Sequence, residues 1–101
     1  MIFTTFSFSQ TGETELYSEL KKADKELNKV YNNLKSKLET IDKNALVNAQ
    51  NAWIKFRDLN CKFRSREDSE GGVMSNKMKI DCLIELTLKR TEELKSLTED
   101  F

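Results

Sequence analysis

Cys61 and Cys82 are the residues whose type and separation bear most directly on chemistry. In an oxidising compartment they can close a disulfide; in a reducing one they would stay two buried thiols. The densest basic run is Lys55, Arg57, Lys62, Arg64 and Arg66, with Trp53, Phe56 and Phe63 interleaved. Cations and rings in that mixture are what a single-stranded nucleic acid needs. Acidic side chains gather towards the other end as Glu92, Glu93, Glu99 and Asp100, a solvated stretch that could meet a basic protein by charge complementarity. The chain has no histidine, which removes the commonest general base and the commonest transition-metal ligand. Two cysteines do not make a structural zinc site alone. Two-carboxylate catalysis needs a carboxyl whose pKa is raised by burial, whereas the acids here fall on exposed helical positions. No catalytic, cofactor-binding or metal residues are therefore expected.

These residues must be positioned by helices. The 101-residue chain has room for one domain, proline is absent, and 34 % charged with 38 % hydrophobic residues suits amphipathic helices rather than a disordered chain. From Glu13 to about Ile41, Leu16, Leu20, Ala23, Leu27, Val30, Leu34, Leu38 and Ile41 step by three or four, which holds one helix face over many turns. Thr40-Ile41-Asp42 marks a break, with Asp42 able to cap a second helix. That helix carries Leu46, Ala49, Trp53, Phe56, Asn60 and Phe63 at the same spacing and runs to about Arg66. Ser69-Glu70-Gly71-Gly72 stops it. A third helix opens at Ser75 or Asn76 and buries Ile80, Leu83, Ile84, Thr87, Thr91 and Leu94, with Leu97 at its margin. Short connections make neighbours antiparallel. The expected fold is all-α, a three-helix up-down-up antiparallel bundle or hairpin with a long first helix.

On this arrangement Cys61, near the end of the second helix, and Cys82, near the start of the third, lie side by side, and we expect a disulfide between them. Closing a loop of about 20 residues contributes about 3 kcal/mol in the chain-entropy model. The aromatic residues of the basic run fall on the expected apolar stripe. They read as core, with the arginines on a solvated back, so nucleic-acid binding is not expected.

Residues 1–9, Met1-Ile2-Phe3-Thr4-Thr5-Phe6-Ser7-Phe8-Ser9, are uncharged and aromatic before a polar segment begins at Gln10. We read them as the tail of a secretory signal peptide whose basic region precedes an internal methionine start. Ser7 and Ser9 supply the small residues of a cleavage site, and Gln10 becomes the mature N-terminus. Residues 10–101 then form a single helical domain. No other stretch approaches a membrane span, which needs about 18 apolar residues or more.

The series Ala23-Asp24-Lys25-Glu26-Leu27-Asn28-Lys29-Val30-Tyr31, Ala49-Gln50-Asn51-Ala52-Trp53-Ile54-Lys55-Phe56-Arg57-Asp58, Cys61, Gly71-Gly72, Cys82-Leu83, Leu86-Thr87 and Arg90-Thr91-Glu92-Glu93-Leu94 resembles the family named for the N-terminal domain of the lysozyme inhibitor LprI. The resemblance runs from about Glu13 to Leu97. It implies an exported, disulfide-linked helical domain of the bacterial envelope, periplasmic or secreted, that binds a protein partner such as a lysozyme. Members commonly carry a further cysteine pair near the N-terminus; here Glu15, Leu16 and Tyr17 occupy that region.

Arg57 and Asp58 follow the tryptophan of the family pattern, and Arg90 matches its last-helix arginine. Neighbouring residues point about 100° apart on a helix, so at most one of Arg57 and Asp58 can face Arg90. We expect Asp58 to pair with Arg90 and fix how the second and third helices dock, with a role in meeting a partner as the alternative. Three functions compete: a protein-binding inhibitor that occludes a lysozyme's cleft, a structural or assembly module of the envelope, and a small-ligand carrier. The module would pair with another copy through a leftover apolar stripe near Tyr17 and Tyr31. The carrier needs a cavity that so thin a bundle hardly encloses.

Overall fold

The computed structural model describes residues 2–101, with side chains from Gly12 onward. The segment 1–9 read as a leader lies outside the residues whose side chains are described. Three helices follow one another, α1 (Ile2–Ser36), α2 (Thr40–Arg64) and α3 (Gly72–Thr98). The molecule is a flat slab of 56 × 33 × 15 Å.

α3 is the central element. Asn76 near the start of α3 donates to Glu13 and Tyr17 of α1, while Lys95 further along α3 meets Glu26 further along α1, so α1 and α3 run parallel. Cys61 joins Cys82, and Gln50 meets Arg90, so α2 runs antiparallel to α3. α1 and α2 touch little. This is the up-down-up order expected, opened so that one face of α2 lacks a helical neighbour.

The core lies where α1 and α3 face each other. Leu27, Val30, Leu34 and Leu94 form its buried cluster, and Tyr31, Leu38, Leu46 and Trp53 pack against it. On α1 the stripe Ala23, Leu27, Val30 and Leu34 is buried as the spacing predicts. On α3 Ile80, Cys82, Thr87, Thr91 and Leu94 are buried, while Leu97 is exposed. The Thr91 hydroxyl donates to the Thr87 carbonyl one turn back, which satisfies it inside the helix.

Several helix boundaries differ from the sequence expectation, beginning with α1, which opens at Ile2 and not at Glu13. The first helix ends at Ser36, not near Ile41: Lys37 and Leu38 donate to the carbonyls of Leu34 and Lys35, tightening the last turn. α2 is then entered through Glu39, whose carbonyl accepts from Lys43, and Asp42 falls in the first turn rather than at the cap. There its charge favours the amide end of the helix. Ile41 becomes a surface residue of α2. The second helix ends at Arg64, and the third opens at Gly72 instead of Ser75 or Asn76. Ser75 is buried, its hydroxyl donating 2.9 Å to the Ser65 carbonyl across the connection.

That connection is fastened at several points. Arg66 has a positive φ of 57°, and its carbonyl collects the amides of Ser69, Glu70 and Gly71. Gly71 has φ 62° with ψ −166°, a combination open in practice to glycine alone. Lys79 on α3 donates to Glu67 in the connection, and that hydrogen bond is the main cause holding the Glu67 carboxyl below its usual pKa. The tie therefore persists at neutral pH and is lost only as pH falls through that lowered value.

Candidate functional site

The residues that carried the sequence resemblance converge on one polar layer around Trp53. Arg57 on α2 is its hub. Its Nη1 donates 3.0 Å to Asp24 Oδ1 on α1 and 3.0 Å to Thr87 Oγ1 on α3, so one guanidinium joins all three helices. Its Nε donates 2.9 Å to the adjacent Asp58. Arg90 on α3 works beside it: Nε donates 3.0 Å to Gln50 Oε1 on α2, and Nη1 donates 2.6 Å to Glu93. The two guanidiniums lie over Trp53 at 5.4 and 5.8 Å from its ring, close enough for cation–π attraction.

The expected pairing of Asp58 with Arg90 is thus corrected. Asp58 stays beside Arg57, and Arg90 is taken by Gln50 and Glu93. The reason is the rotation of α2, whose inward face is Leu46, Gln50, Trp53, Arg57 and Cys61. Asp58 lies 100° further round and is exposed. Sequence reasoning missed Asp24, Gln50 and Thr87 as members of the layer. The signal was present in the register of Gln50, Arg57 and Cys61, which recur at a spacing of seven and four on one face.

The layer is built to dock helices rather than to do chemistry. The Arg57 and Arg90 side chains are only 14 % and 12 % exposed, and their Nε and Nη1 donors are engaged by the carboxylates, the amide and the hydroxyl around them. Among the described residues every buried side-chain polar atom has a hydrogen-bond partner. No group of three or more histidine, cysteine, aspartate or glutamate side chains able to hold a metal occurs among them either. Asp24 and Glu93 remain about half exposed at its edge. Trp53 is half-buried, so Trp53→Ala is expected to cost about 2 to 3 kcal/mol, below the loss for a fully buried tryptophan. A thermal melt followed by circular dichroism checks this, and an unchanged melting temperature would remove Trp53 from the framework.

Cys61 and Cys82 form the expected disulfide, with Cα atoms 5.5 Å apart and both residues buried. It clamps α2 to α3 beyond the polar layer. The other two aromatics of the basic run are not core. Phe56 and Phe63 are exposed, at 58 % and 79 %. Tyr31 packs on the core, which leaves Tyr17, bonded through its hydroxyl to Asn76, as the exposed tyrosine of the pair.

The model of the family described as lysozyme inhibitor LprI matches residues 9–94, a span that includes α2 whole, most of α1 and α3, the disulfide and every member of the polar layer. The chain belongs to that family. It is also 40 % identical over 90 residues to an uncharacterised protein of Rhizobium meliloti (strain 1021), an alignment covering 76 % of this chain and 64 % of that protein. The chain thus spans less than two thirds of the length of that relative. No solved structure matches. Within the family frame the polar layer and the disulfide are the scaffold. Among the described residues no helix is long and apolar enough to cross a membrane.

Proposed function

We propose that the chain is an exported envelope domain that binds a lysozyme and inhibits it by covering the enzyme's cleft. Membership of the lysozyme-inhibitor family carries this reading. A disulfide that closes the α2–α3 corner fits an oxidising compartment, periplasmic or extracellular, and supports export. A scaffold fastened by one bridge and a three-helix guanidinium tie presents a rigid surface, which limits the ordering cost of association.

The carboxylates at the end of α3 are the contact we assign to the enzyme. Glu92, Glu93, Glu99 and Asp100 are exposed, and of these Glu93 is already held by Arg90 and Glu92 pairs with Lys95 at the surface. Replacing Glu92, Glu99 and Asp100 together by lysine should weaken lysozyme binding on the order of tenfold or more, about 1.4 kcal/mol or more. Because all three side chains are exposed, the melting temperature should hold. Titration calorimetry with the oxidised domain reads this out, and unchanged affinity in the triple variant would move the contact elsewhere.

A further inference from the structure

α2 carries two stripes, and only one of them faces the protein. On its outer side Ala45, Ala49, Ala52, Phe56, Leu59 and Phe63 are all exposed. They step by four, three, four, three and four residues, the a/d spacing of a coiled-coil seam held for nearly three heptads. Phe56 and Leu59 are each 58 % exposed and Phe63 is 79 % exposed. Continuous apolar surface of this kind on a helix marks an interaction face.

The order of side chains along the seam identifies the occupant. Its first half is three alanines and its second half is Phe-Leu-Phe, so the seam is small at one end and large at the other. A two-fold axis beside residue 54 lays two copies antiparallel. Ala45 then faces Phe63, Ala49 faces Leu59 and Ala52 faces Phe56 of the second copy. Every large side chain meets a small one, as knobs-into-holes packing requires, and the contact is isologous and closed. A parallel pairing would stack alanine on alanine and phenylalanine on phenylalanine, leaving a gap at one end and crowding at the other. Four phenylalanines of about 200 Å² each, more than half exposed, would remove on the order of 500 Å² from water. Leu59 and the alanines of both copies bring the total towards the roughly 1,200 Å² at which specific interfaces begin.

We propose that this seam is the interface of a homodimer in which α2 packs antiparallel on α2 of a second copy. The seam lies on the side of α2 away from Gln50, Arg57 and Cys61, so association leaves the polar layer and the disulfide untouched. Lys55 borders the seam near the axis and approaches its own copy, which makes association tighter as salt screens that repulsion.

Sedimentation equilibrium of the full oxidised chain over a range of concentrations tests this. The expected result is a species of twice the 11.8 kDa chain mass, converted to monomer by F56E combined with L59E without loss of helical circular dichroism. Ala52→Phe and Phe56→Ala should each weaken the dimer at least tenfold. The double variant, which exchanges the two facing residues, should recover affinity to within about threefold. A monomer at all concentrations overturns the proposal, as does a dimer indifferent to F56E and L59E. Absence of rescue in the exchange variant overturns the antiparallel seam. A monomer that binds lysozyme and loses it with F56E and L59E overturns the dimer too, assigning the face to that enzyme.

Discussion

Leu94→Ala is expected to destabilise the domain by about 3 to 5 kcal/mol, the largest loss from any single side chain considered. Leu94 is fully buried on the central helix and packs with Leu27, Val30 and Leu34 of α1. Truncation removes its transfer free energy and leaves a cavity between two long helices. Leu97 lies one turn further along the same helix but is exposed, so Leu97→Ala should cost less than about 1 kcal/mol. Denaturant unfolding of both variants gives the contrast. Equal losses would mean that the register of α3 against α1 is not the one described.

Removal of the Cys61–Cys82 bridge comes next. The bridge spans 21 residues in sequence and contributes about 3 kcal/mol by restricting the unfolded chain. A small domain has about 5 to 15 kcal/mol in total, so the melting temperature should fall by about 12 to 24 °C in the double alanine variant. The loss is not spread evenly. α2 rests almost entirely on α3, so without the bridge its last turns and the 65–71 connection rely on Ser75, Lys79 and the Arg66 carbonyl. Amide exchange should accelerate there before it does in the Leu27–Leu94 core. A variant that melts within a few degrees of the parent would show that the bridge is incidental to the fold.

The sequence revealed these elements unevenly. On α1 a single apolar stripe competes with a charged back, so Ala23, Leu27, Val30 and Leu34 could point only one way. The two cysteines near facing helix ends made the bridge and the antiparallel docking of α2 and α3 readable together. α2 was legible as a helix but not in its rotation, because it bears two candidate faces. The more apolar one, with Ala49, Phe56 and Phe63, is turned outward. The inward one is half polar and wins because Gln50 and Arg57 find partners in Arg90, Asp24 and Thr87, while Cys61 bonds Cys82. One constraint in the sequence pointed to this: Phe63 is two residues, about 200°, from Cys61, so a bridged Cys61 turns Phe63 away. The pairing of Arg57 with Asp24 was not readable, since it depends on how α1 lies against that rotated helix.

The same geometry narrows the functional choices. The convergence of family-pattern residues on Arg57, Arg90 and Trp53 explains their presence as docking, which frees the exterior for partners. Two exterior features are then the ones we propose for partners, the carboxylates at the end of α3 for a lysozyme and the outer seam of α2 for a second copy.

The lysis assay tests the central claim most directly. Clearing of a cell-wall suspension by lysozyme is followed while the purified oxidised domain is titrated in. Dose-dependent inhibition that saturates, and that disappears when Cys61 and Cys82 are reduced, is the predicted result. Undiminished lysis by every lysozyme type tested, at domain concentrations well above that of the enzyme and with the bridge intact, would contradict it.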